Sequence, residues 1–67
     1  MNFDNVSRSE LERLIDEWIL SERNRKMMKR RYLDGICYEP LAEEFDLSVR
    51  QTKRIIAEGY TVLMAHI

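Results

Sequence analysis

Residues 38–57 read Tyr38-Glu39-Pro40-Leu41-Ala42-Glu43-Glu44-Phe45-Asp46-Leu47-Ser48-Val49-Arg50-Gln51-Thr52-Lys53-Arg54-Ile55-Ile56-Ala57, and they describe two short helices joined by a sharp turn. Pro40 falls in the first turn of the first helix, where a missing N–H costs nothing. Leu41, Ala42 and Phe45 form its inner face, and Ala42 is small enough to let a second helix cross closely. Asp46 stands where the turn needs positive φ, which Asp tolerates after Gly and Asn. Ser48 caps the next helix. Leu47 and Ile55 are apolar where the two helices bury each other. The second helix then opens with Val49, Arg50, Gln51, Lys53 and Arg54, cationic and polar side chains on an N-terminal half. This is the plan of a helix-turn-helix, whose second helix enters the major groove of duplex DNA. Arg pairs bidentately with guanine, Gln with adenine, and Lys or Arg with phosphate.

Two more helices are predicted upstream. Ser7 and Glu10 have the spacing of a capping box. Leu11, Leu14, Ile15, Trp18 and Ile19 follow at i, i+3, i+4, i+7 and i+8, one face of a helix over about 8–20. Trp18 is expected as a core anchor, and residues 1–6 are expected to fray. Ser21 caps a second helix over about 22–33, with Met27, Met28, Tyr32 and Leu33 apolar. Asp34-Gly35 ends it. The third helix runs from about 38 to 45, and the fourth from 49 to about 65, weakened at Gly59 by about 1 kcal/mol relative to Ala. No alternating strand pattern is present. The chain is expected to be one all-α, four-helix domain over 1–67, with the helix-turn-helix at its C-terminal end. The apolar Tyr60, Val62, Leu63, Met64 and Ile67 are expected to pack on the first helix or to form a homodimer seam.

A chain of 67 residues allows one domain with a modest core. Its single cysteine, Cys37, excludes an internal disulfide and suits a reducing compartment; it reads as a small, half-buried residue. No leader-like N-terminus and no apolar run of membrane-spanning length is visible, so a cytoplasmic protein with no membrane partner is expected. The net charge of −1 argues against a nucleic-acid binder, but its distribution argues for one. Residues 23–31 carry six cations and no acid, and Arg50, Lys53 and Arg54 form a second basic set. A phosphate responds to the local field rather than to the total.

The residue types that carry catalysis are not arranged for it. Asp16-Glu17 and Glu43-Glu44 are sequence neighbours, which a helix points about 100° apart. His66 is the only imidazole and reads as an exposed residue. Without a phosphate-binding glycine loop, nucleophile–base pair or metal-ligand cluster, no enzyme, no metal and no cofactor is expected. Tyr32 and Tyr38 are too few for a single-strand stacking platform and read as core.

Residues 31–48, Arg31-Tyr32-Leu33-Asp34-Gly35-Ile36-Cys37-Tyr38-Glu39-Pro40-Leu41-Ala42-Glu43-Glu44-Phe45-Asp46-Leu47-Ser48, resemble region 4 of sigma-70-type transcription factors, with its RY-x-x-G-x-S-Y-x-x-I-A-x-x-x-x-x-S run. They also resemble small phage and mobile-element regulators of Gram-positive bacteria built on that domain. The resemblance covers roughly 23–65, and Ser7–Leu20 is an added N-terminal helix. It implies that Ser48, Arg50, Gln51, Lys53 and Arg54 face DNA, and that the helix carrying Lys29, Arg30 and Arg31 lies close to the backbone. Three positions depart from the pattern: Cys37 replaces a Ser or Thr cap, Thr52 replaces a core Val or Ile, and Arg30 replaces an apolar residue. The polymerase-binding and −10-reading parts of a complete sigma factor have no counterpart here. The expected function is sequence-specific binding of duplex DNA as a transcriptional regulator. The alternatives are a module that binds RNA polymerase or another regulator with little DNA affinity, and an accessory protein of DNA packaging or recombination.

Overall fold

A computed structural model of the chain describes Phe3 and residues 5–67. Among these residues four helices follow one another: α1 (Arg8–Trp18), α2 (Glu22–Tyr32), α3 (Tyr38–Glu44) and α4 (Val49–Met64). The expected all-α, four-helix domain is the observed fold, and α1, α2 and α4 start where their capping serines predict. The described residues contain no helix long and apolar enough to cross a membrane.

Each helix is formed by a local signal and held by an apolar stripe. Ser7 Oγ accepts from the Glu10 N–H at 3.1 Å, one half of the expected capping box. Leu11, Leu14 and Ile15 turn inward from α1. Ser21 caps α2 through the Asn24 N–H, and Met27 and Met28 are fully enclosed. Ser48 caps α4 with a complete box: its Oγ accepts from the Gln51 N–H at 3.1 Å, and Gln51 Oε1 accepts from the Ser48 N–H at 3.1 Å. Thr52, Ile56, Gly59 and Leu63 form the buried stripe of α4. The Thr52 hydroxyl, sealed from solvent, donates to the Ser48 carbonyl at 2.9 Å, so a polar residue fills an apolar site with its hydrogen bond satisfied. α4 is the spine of the domain, packed against all three other helices.

The elbow between α3 and α4 follows the sequence expectation. Asp46 takes φ 56°. Its N–H donates to the Glu43 carbonyl and the Leu47 N–H to the Ala42 carbonyl, at 3.2 and 2.9 Å, which satisfies the last carbonyls of α3 as a Schellman turn. Ala42 and Leu41 are buried at the crossing. Gly35, at φ 71°, turns the chain after α2. Gly59 has a packing role: a Cβ there would lie 2.6 Å from Met28 Sδ, so its absence lets α2 and α4 approach.

Five expectations change. Phe3 is buried, with its ring edge-on to Tyr32 at 4.9 Å and tilted on Tyr60 at 5.1 Å, so part of the stretch expected to fray joins the core; Met1, Asn2 and Asp4 lie outside the described residues. Trp18 is not a core anchor. It is 39% exposed and stacks flat on His66, with ring centroids 3.6 Å apart. α1 ends there, and the Arg25 guanidinium on α2 donates to the Ile19 and Leu20 carbonyls beyond it. Cys37 is exposed rather than half-buried, because it sits at the N-cap of α3, where it makes no side-chain capping bond among the described residues. The end of α4 divides its apolar residues: Leu63 is buried, while Val62, Met64 and Ile67 stay exposed. Tyr32 and Tyr38 are half-buried at the margin of the core, short of the interior expected for them.

Candidate nucleic-acid interface

With Thr52 and Ile56 turned inward, the opposite face of the first half of α4 is necessarily outward. Arg50, Gln51, Lys53 and Arg54 are all exposed on it. Ser48 and its box fix the helix start from which they project. Arg50 has no ion-pair or hydrogen-bond partner among the described residues. Arg54 Nε lies 3.5 Å from Glu58 Oε1 in an exposed i,i+4 pair, a contact worth a few tenths of a kcal/mol at most. Lys53 Nζ sits 5.6 Å from the centroid of Tyr38, the first residue of α3. Gln51 is less free than its position suggests. Its Oε1 is taken by the Ser48 N–H and hydroxyl, so two-point pairing with adenine, which needs that oxygen, requires the box to open.

The basic run of α2 is largely turned to the fold's own use. Lys29 Nζ is 2.7 Å from Asp16 Oδ1 on α1. Arg30 donates through Nε and Nη2 to both Glu44 oxygens on α3, at 2.8–3.1 Å, and through Nη1 to Asp34 at 3.1 Å. The Glu44 hydrogen bond, then that of Asp34, raises the Arg30 guanidinium above its ordinary pKa. Arg31 stacks over the Tyr38 ring at 4.4 Å and donates to the Ile36 carbonyl, with its Nε buried and unpartnered. Lys29, Arg30 and Arg31 therefore tie α2 to α1, to α3 and to the α2–α3 loop. Arg25 closes the end of α1. Residues that share one run in the sequence thus divide into structural ties and exposed cations. The spacing of the run announces only the i,i+4 pairs of Lys26 with Glu22 and Arg30 with Asp34, because Asp16 and Glu44 lie on other elements.

Two hollows flank α4. One, of about 420 Å³, lies between the start of α3 and α4 and is lined by Tyr38, Glu39 and Lys53 among others. The other, of about 260 Å³, lies between α2 and α4 and is bordered by Arg23, Asn24, Gln51, Arg54 and Glu58. Among the described residues no group of three or more His, Cys, Asp or Glu side chains is placed to hold a metal ion. Comparison with protein-family models, curated proteins and solved structures returned no match to this chain.

Proposed function

We propose that this protein is a non-catalytic, sequence-specific binder of duplex DNA that regulates transcription in the cytoplasm, with α4 in the major groove. The observation that carries the reading is the outward face of α4: Arg50, Lys53 and Arg54 project from a helix whose start is fixed by a full capping box and whose other face is locked in the core. The helix backbone that carries these cations is already ordered, so binding has only their side chains to immobilise. Arg50 and Arg54 serve the base edges, with Gln51 joining when its cap opens, and Lys53 serves phosphate. The likeness of residues 31–48 to region 4 of sigma factors supports the same reading, and a phage or mobile-element regulator is the source class it suggests.

Titration of fluorescent random-sequence duplex, followed by anisotropy at low and moderate salt, tests the proposal on wild type and on Arg50→Ala/Arg54→Ala. Micromolar binding that weakens with salt and falls in the double variant supports it. Absence of binding by wild type at low salt overturns it.

A second reading, a module that docks on RNA polymerase, on another regulator or on a second copy of itself, is favoured by one observation. Trp18, Leu20, Val62, Met64 and Ile67 are large apolar side chains left exposed. Salt-insensitive capture of polymerase without DNA affinity would select it.

A further inference from the structure

We propose that the DNA backbone is gripped on both flanks of α4, by Lys53 beside Tyr38 on the α3 side and by Arg23 on the α2 side. This rests on the reading of α4 as a major-groove helix and adds a contact on α2 that lies outside its basic centre.

The geometry comes from the helix period. Lys53 and Arg54 are consecutive, so their side chains diverge by about 100°. Lys53 turns toward Tyr38 and borders the hollow beside α3. Arg54 borders the hollow beside α2, where Arg23 and Asn24 form the facing wall. Arg50 is three residues before Lys53 and four before Arg54, so it projects between them. A helix with its side chains is about 10–12 Å across, and the major groove is about 12 Å wide. A helix seated there has a wall of phosphates on each side, and each wall meets one of these flanks.

The charge on each flank suits a phosphate. On the α3 side, Lys53 stands at the Tyr38 ring with Arg31 stacked on that ring as well, and Glu39 is the carboxylate lining the hollow. On the α2 side, Arg23 and Arg54 face Glu58. The Glu58–Arg54 pair is exposed on both partners, so it holds Arg54 only weakly and leaves it free to turn to a base edge. Arg23 Nε donates to Asn24 Oδ1 at 3.1 Å, which steadies the guanidinium while its terminal nitrogens stay unpartnered among the described residues. Lys29 and Arg30 differ: both are bonded to carboxylates of neighbouring elements, and freeing them would cut ties within the fold.

The experiment is the salt dependence of binding to random-sequence duplex by the full chain, between about 50 and about 200 mM salt. Wild type is compared with Arg23→Gln, Lys53→Gln, their double variant, Arg23→Lys and Lys29→Gln. Each lost phosphate contact flattens the slope of log affinity against log salt by about 0.9, so wild type loses about threefold more affinity over that range than either single variant. The double variant flattens it by about 1.8, and Arg23→Lys and Lys29→Gln keep the wild-type slope. Arg23 and Lys53 are exposed, so far-UV circular dichroism of these variants stays at the wild-type level. If wild type binds with steep salt dependence and Arg23→Gln keeps the full slope, the two-flank grip is overturned while the DNA-binding reading stands. If wild type does not bind, both fall.

Discussion

At Gly59 propensity and packing act in opposite directions. Alanine in mid-helix is better than glycine by about 1 kcal/mol. A Cβ at this site, however, would meet Met28 Sδ at 2.6 Å, and the end of that flexible side chain would have to shift within the core, where Met28 is fully buried. Overpacking of this kind costs about 1–3 kcal/mol. Gly59→Ala is therefore expected to lower the unfolding free energy by about 1 kcal/mol net, read as a reduced urea midpoint at unchanged slope. A raised midpoint would mean that Met28 relocates freely. Tyr32 carries a second prediction at this scale. Burial first, then Tyr38, raises its hydroxyl above the ordinary pKa of 10.0. The neutral phenol is the form the fold prefers, so its contribution is complete below the unfolded-state value and is lost as pH rises through the folded one. Urea unfolding from about pH 9 to about pH 11 should show a decline that is smaller in Tyr32→Phe; an identical decline in both proteins would remove Tyr32 as its cause.

Among the elements, α3 is the one whose start lacks a side-chain cap. Cys37 holds the extended N-cap backbone, φ −70° and ψ 161°, without a capping bond. Cys37→Ser is expected to stabilise the domain by about 0.5–1 kcal/mol, a rise of roughly 3–6 °C in the melting midpoint under reducing conditions. An unchanged or lower midpoint would place the limiting weakness of α3 elsewhere. This weakness was readable in the sequence, as were the four helices and the Asp46 elbow, because caps, apolar stripes and positive-φ residues are local signals. Other features depend on distant partners and were not readable. The end of α1 is closed by Arg25 from the next helix. The basic run of α2 is sorted into ties and exposed cations chiefly by Asp16 on α1 and Glu44 on α3. Gln51 stands three residues after Ser48, the same capping-box spacing as Ser7 and Glu10, so its engagement with the helix start is a local signal that competes with the base-pairing role.

At the scale of the whole molecule, the Cα radius of gyration is 11.1 Å, close to the roughly 11 Å expected of a compact chain this long. A domain of 67 residues has a total stability of only about 3–10 kcal/mol, so single contacts weigh heavily. Phe3 shows this best. It lies far from α4 in the chain yet seals one side of the core against Tyr32 and Tyr60. Phe3→Ala is expected to cost about 3 kcal/mol, enough to leave a measurable unfolded fraction at 25 °C in circular dichroism. A loss under about 0.5 kcal/mol would mean that this aromatic contact is made but carries little. The Trp18–His66 stack has a different kind of consequence. The sequence holds one tryptophan, and an imidazole from the residues after α4 lies parallel to it within 3°. Indole emission is therefore a local gauge: it reports whether the last turn of the chain is seated on α1, separately from whether the helices persist. An emission change that comes before the loss of helical signal on heating would time that unseating, and the molecule carries the probe for it without any label.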